Sequence, residues 1–240
     1  MKIQLIKIGQ IRARIDYSSI ENWESKFFEI GVTTEVSQIK VDHFSDDYEF
    51  PNAKLEGILK HNPQCDLTVG IIDQPIEGNY YMHRLDDHTA VVSLHEIKDI
   101  LLLENIPIEN FILRCIYEMV VFFYEGAGAI GDKVYKLPHH ETRGCLFDMN
   151  VFKSDIVFSS IRPTICSACE ARLNTKPLPP KFIQTIKSEI KRLDKTLYYR
   201  MTDFTKSHPL LSILITAIFA VILNLIANVI YDLFKPHTTG

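Results

Sequence analysis

Residues 2 to 8, KIQLIKI, alternate apolar and polar side chains, the period-two pattern of a strand with one buried face. Ile20, Trp23, Phe27, Phe28 and Ile30 then recur at roughly helical spacing and predict a helix that stops at Gly31. TEVSQIKVDHF, residues 34 to 44, is strand-like. A polar, proline-marked turn leads to a short helix over Ala53 to Lys60. Two apolar runs rich in β-branched residues, Asp66 to Asp73 (DLTVGIID) and Ala90 to Leu94 (AVVSL), predict buried strands. This alternation predicts an α/β domain on one central sheet, mixed if the segment at Tyr80 and Tyr81 adds an edge strand.

From Ile97 the pattern turns helical, and Pro107 to Tyr124 (PIENFILRCIYEMVVFFY) has the length and near-continuous apolarity of a helix buried against the sheet. Gly126, Gly128 and Gly131 end it. Arg114 and Glu118 stand four residues apart in its middle, as a structural ion pair or as part of a site. After Pro177, Pro179 and Pro180, a stripe at 3-4 spacing, Ile183, Ile186, Ile190, Leu193, Leu197 and Phe204, predicts an amphipathic stalk helix. Such a stripe can dock on the head, lie on a membrane, or pair as a coiled coil. Pro209 to Tyr231 is 23 residues without a charge. At about 1.5 Å per residue it reaches about 34 Å, enough for a hydrocarbon core of about 30 Å. The expected layout is a head over residues 1–175, a linker and stalk over 176–207, a membrane helix over 208–234 and a short tail over 235–240.

Charge adds orientation. Residues 181 to 206 carry seven basic and three acidic side chains, which leaves about −8 on residues 1 to 180 of a chain whose net charge is −4. With the basic side chains before the membrane segment, the positive-inside bias places the head in the cytoplasm and the chain in the cytoplasmic membrane, as a tail-anchored protein without a signal peptide. Lys187, Lys191, Arg192, Lys195, Arg200 and Lys206 form a collar suited to anionic lipid headgroups, whereas the acidic head is a poor nucleic-acid binder. Within the membrane segment Ser212, Thr216, Asn224 and Asn228 recur on a slowly winding row. Asparagines in an apolar span favour a neighbour that accepts their hydrogen bonds, so self-association is expected.

The most chemically suggestive stretch is residues 137 to 173. Cys166-Ser-Ala-Cys169 puts two thiolates on one turn, Cys145 can supply a third, and His139 or His140 a fourth ligand, with His140 preferred at H-x4-C. Cys3His is a closed tetrahedral set, so the predicted cofactor is a structural Zn2+ that clips the end of the domain. Arg143, Asp148, Lys153 and Asp155 flank the same region and are expected to form a supporting polar network.

The order DLTVGIID, AVVSL, a long helix around CIYEMVV, then a His/Cys segment resembles the archaemetzincin branch of zinc-dependent peptidases over about residues 1 to 173. In that family the long helix carries H-E-x-x-H, two zinc-binding histidines and a glutamate that polarises water. The matching positions here read Tyr117-Glu118-Met119-Val120-Val121, so the resemblance implies the fold, with Glu118 at the general-base position and no histidine at either ligand position. A head without catalysis, a stalk and a membrane helix also resemble in layout the transmembrane effectors of prokaryotic antiviral systems. The expected function is therefore a non-enzymatic membrane effector that receives a cytoplasmic protein partner and oligomerises on activation. The alternatives are a membrane-tethered zinc peptidase using Glu118, or a tail-anchored adaptor.

Overall fold

The computed structural model describes residues 1–36, 48–131, 139–140 and 142–234 and divides into two units, Met1–Asp194 and Lys195–Gly240. In the first, β1 (Lys2–Ile8) pairs in parallel with β2 (Glu29–Ile30) at its start, with β3 (Thr34–Val36) at its end, and along its other side with β4 (Leu67–Ile72). β6 (Thr89–Ser93) follows in parallel, and β5 (Met82–Arg84) closes the sheet as an antiparallel edge. The sheet is mixed, with the antiparallel edge just after Tyr80 and Tyr81.

Alternation along the strands feeds two cores. Ile3, Leu5, Leu67, Val69, Ile71, Ala90 and Val92 share a cluster with the long helix α4 (Ile108–Glu125), while Ile8, Ile72 and Val91 meet Leu55 and Leu59 of the segment containing α2 (Asn52–Ile58). Gly70 lets that segment approach: a Cβ there would lie 2.7 Å from Ile8 Cδ1 and 3.0 Å from Leu59 Cδ2. α3 (Ile97–Leu103) leads into α4, in which every residue from Asn110 to Phe122 is buried, and this places the charged Arg114 and Glu118 in the interior.

Two predicted elements differ. The helix expected over residues 20 to 30 is only α1 (Tyr17–Glu21), because the chain then turns to bond β1: Glu29 N–H donates to Met1 O and Gly31 N–H to Ile3 O. Trp23, Phe27 and Phe28 still pack on the core without a helix to space them. Of the strand expected over 34 to 44, β3 is seen and residues from 37 onward lie outside the described ones.

The predicted stalk is two helices. α7 (Phe182–Ile190) belongs to the first unit and buries Ile183, Ile186 and Ile190, followed by Leu193. Arg162 N–H donates to Leu193 O at 2.6 Å, and Asn110 Nδ2 to Asp194 O at 3.2 Å, so the end of this segment is tied to the head. In the second unit, α8 (Leu197–Ser207) precedes α9 (Pro209–Phe234). A 3-4 stripe is what any docked helix requires, and the first four of its members are spent on the head's core. Pro209 to Tyr231 has a mean hydropathy of 2.7 with no part buried, and it is long and apolar enough to cross a membrane.

Candidate metal centre and adjoining cavity

Between α4 and α7 the chain forms the Cys/His site from three short pieces. His139 pairs with Asp148 in an isolated bridge, and Cys145 with Thr164 in another. Gly144 takes a left-handed φ of 84° just before Cys145, a turn that a side chain would strain. α5 (Ile156–Ser160) intervenes, and α6 (Ser167–Leu173) then starts at Cys166, whose Sγ caps the helix by accepting from Cys169 N–H at 3.5 Å.

These pieces bring one ligand atom each from His139, Cys145, Cys166 and Cys169 to within 4.8 Å of one another. His139 Nε2 lies 3.3 Å from Cys145 Sγ and 3.6 Å from Cys166 Sγ. Zinc–sulfur bonds of about 2.3 Å make a tetrahedron with edges of about 3.8 Å, so the donor set suits Zn2+ in type and spacing. Cys145 and Cys169 are buried, and the thiol–thiol hydrogen bond between them lowers the Cys145 thiol and raises that of Cys169. The Cys3His group can hold a metal ion, consistent with a structural Zn2+.

The preferred histidine differs. Adjacent residues of an extended segment face opposite sides, and the bridge to Asp148 turns His139 to the thiols while His140 is exposed. H-x4-C spacing could not see that bridge. The flanking polar residues do not form one network: Arg143 Nε pairs with Asp155 Oδ2 at 3.4 Å, Lys153 Nζ with Glu96 Oε2 at 3.0 Å, and Asp148 Oδ1 accepts from Asn150 N–H at 3.0 Å.

Arg114 and Glu118 connect α4 to this centre. Arg114 Nη1 is 2.7 Å from Glu118 Oε2, and both side chains are almost fully buried. The guanidinium also donates to Leu146 O at 2.7 Å and Asp148 O at 3.2 Å, on the segment that carries Cys145, and to the Tyr81 hydroxyl at 3.3 Å. A guanidinium fork that satisfies two carbonyls and a carboxylate is the geometry that makes a buried charge tolerable. Burial pushes the Glu118 carboxyl up to about 7 against the pull of Arg114.

Glu118 lines a cavity of 280 Å³ with Tyr80, Tyr81, Met82, Arg84, Phe122 and Met149 among its walls. Tyr117, one residue along the helix, faces elsewhere. Its hydroxyl accepts from Trp23 Nε1 at 2.8 Å and donates to Glu189 Oε2 of α7 at 2.9 Å. Val121 is wholly buried in apolar packing. Trp23, Tyr81 and Glu189 were not legible as partners of α4, since their sequence separation from it gives no periodic signal.

The predicted headgroup collar is divided between the two units. Lys187 pairs with Glu170 at 3.0 Å, and Arg192 stacks on Trp23 at 4.5 Å, both in the head; Lys195, Arg200 and Lys206 belong to the second unit. In α9, Ser212 Oγ donates to His208 O at 3.1 Å and Thr216 Oγ1 to Ser212 O at 2.8 Å, which satisfies those hydroxyls within their own helix.

No family model matches the chain, and no curated protein matches it either. Solved structures do. The archaemetzincin of Methanopyrus kandleri superposes with a TM-score of 0.50 at 16% identity, over 73% of this chain and 94% of that one. The archaemetzincin of Archaeoglobus fulgidus gives 0.43 at 13% identity, over 72% of this chain and 99% of that one. At 16% identity the first of these likenesses is one of fold: over about three quarters of its length this chain has an archaemetzincin-like fold.

Proposed function

We propose that this chain is a non-hydrolytic receptor tethered to a membrane by α9, whose head binds an extended segment of a partner protein along β5 and does not cut it. The observation that carries this reading is the commitment of the residues at the H-E-x-x-H positions. The Tyr117 hydroxyl is used on both sides by Trp23 and Glu189, Val121 is buried, and Glu118 is paired with Arg114. Neither Tyr117 nor Val121 offers zinc the imidazole that the family's chemistry needs.

The binding surface follows from strand register. Ser93 N–H donates to Tyr81 O and Leu85 N–H to Thr89 O, so Tyr81, His83 and Leu85 spend their peptide groups on β6. Those of Met82 then point to the opposite edge, along which no strand pairs among the described residues. An extended segment can add there, with the neighbouring 280 Å³ cavity taking one of its side chains. Zinc at the Cys3His set would hold the segment 139–169 as one wall, a structural role, because four protein ligands leave no open position.

In the effector form of this reading, as in prokaryotic antiviral defence, partner binding clusters heads on the cytoplasmic face and brings α9 helices together through Asn224 and Asn228, which perturbs the bilayer. The second reading, a membrane-tethered zinc peptidase, is favoured by the archaemetzincin-like fold and requires an open metal site that Cys3His does not provide. Binding of labelled extended peptides to the full chain in lipid nanodiscs tests the receptor: Met82→Pro should abolish binding while zinc content and helicity stay as in the parent. Unchanged binding in Met82→Pro would remove β5 as the site. Depolarisation of cells on forced clustering, lost without residues 209–231, tests the effector form.

A further inference from the structure

Helix α8 buries none of its residues, yet it is amphipathic. At about 100° per residue, Phe204, Leu197, Met201 and Tyr198 fall on one arc of the helix. Their exposures are 40, 75, 61 and 73%. Thr205 lies within the same arc, and its Oγ1 donates to Met201 O at 2.9 Å, so its hydroxyl proton is already satisfied. The other side carries Tyr199, Asp203 and Lys206, with Arg200 at one margin of the apolar arc. Lys195 Nζ pairs with Asp203 Oδ2 at 2.5 Å, and residues 195 to 206 carry three basic side chains against one acidic, a net positive charge. The backbone leaves helical geometry at His208, with φ −134° and ψ 62°, and α9 begins afresh at Pro209.

We propose that α8 lies in the headgroup layer of the same bilayer that α9 crosses, its apolar arc facing the acyl boundary and Arg200 and Lys206 among anionic lipid phosphates. This rests on α9 being a spanning helix. The break at His208 allows the two helices to take different directions. A helix standing upright on α9 would hold Leu197 about 18 Å above the start of the span, at about 1.5 Å per residue, and leave four large apolar side chains in water. A basic amphipathic helix joined to a spanning helix has a nearer solution, burial of the arc about 5–10 Å into the interface. A second copy fits the arc less well, because Leu197 to Phe204 spans a single heptad, against the three to four that a coiled coil needs. The other members of the predicted seam are buried in the head.

The test uses the full chain in vesicles of phosphatidylcholine and phosphatidylglycerol, with bromine-labelled lipids as quenchers and three tryptophan variants read against the native emission of Trp23. Leu197→Trp should shift to the blue and lose emission to lipids brominated near the headgroup. Tyr199→Trp, on the opposite face, should be quenched much less. Phe219→Trp reports the spanning helix through lipids brominated deep in the chain. If Phe219→Trp is quenched while Leu197→Trp and Tyr199→Trp are equally untouched, α8 stands off the membrane and the proposal is overturned. If Phe219→Trp itself is not quenched by deep bromines, the spanning reading of α9 fails first. Retention of Leu197→Trp quenching in pure phosphatidylcholine would overturn the part assigned to anionic phosphates.

Discussion

The Tyr117 hydroxyl donates to Glu189 Oε2 at 2.9 Å, joining the fully buried face of α4 to α7, whose segment ends the first unit just before α8. Glu189 is otherwise held by Ser25 Oγ at 2.7 Å and Lys26 N–H at 2.9 Å, so both of its carboxylate oxygens are bonded where it meets the core. Tyr117 thus serves as a latch for the last helix of the first unit.

Removing that hydroxyl should loosen α7 and leave the rest of the head intact. Tyr117→Phe leaves Trp23 Nε1 without its acceptor and Glu189 short of one donor, a cost of about 1–3 kcal/mol for buried polar groups. Hydrogen exchange of the full chain in detergent should rise over Phe182–Ile190 and not over β4, with a lower denaturant midpoint. Unchanged exchange in α7 would contradict the latch.

The metal centre makes a prediction that separates adjacent histidines. The purified chain should carry one zinc, and Cys145→Ser or His139→Ala should lower zinc affinity and stability together, because binding energy at a structural site is folding energy. His140→Ala should leave both unchanged, since that residue is exposed. Elemental analysis with a chelator titration reads the difference.

Glu118 predicts a pH dependence of known sign. Its folded carboxyl is raised to about 7 from an ordinary 4.5, chiefly by burial, so the folded state binds the proton more tightly than the unfolded state does. Stability attached to this group is therefore greatest below the unfolded value and is lost as pH rises from there to about 7, with a slope of at most about 1.4 kcal/mol per pH unit. Denaturant midpoints of the parent should fall between pH 5 and 7, and Glu118→Gln should show a smaller fall; parallel curves would contradict the assignment.

Gly70 offers a packing test. Gly70→Ala places a Cβ 2.7 Å from Ile8 Cδ1 and 3.0 Å from Leu59 Cδ2, so those side chains must move. Overpacking of this kind costs about 1–3 kcal/mol, readable as a lower melting temperature with zinc content retained.

β1, β4, β6 and α4 were legible because each leaves a period in the chain: alternation in KIQLIKI, β-branched runs at 67–72 and 89–93, and an apolar stretch from Ile108 to Glu125 too long for a strand, whereas β2 lay inside a stretch that reads as a helix. The CxxC and Cys145 pointed to zinc for a chemical reason: two thiolates on one turn, a third thiol and a histidine complete a tetrahedral ligand set. Two things were not legible. Whether His139 or His140 faces the thiols depends on a bridge to Asp148, and whether Ile183 to Leu193 docks or pairs depends on the surface it meets. Periodicity records that a face is apolar and not what covers it. Trp23, Tyr81 and Glu189 reach α4 from distant parts of the chain, and each became recognisable only through its contacts there.

The most direct test of the central claim is peptide hydrolysis by the zinc-loaded full chain in nanodiscs, followed by mass spectrometry on a mixture of extended peptides, with Glu118→Gln in parallel. The receptor account predicts that peptides are bound and recovered uncut by both proteins. Cleavage by the parent that disappears in Glu118→Gln would show that Glu118 is a working general base and would replace the receptor with a membrane-tethered peptidase.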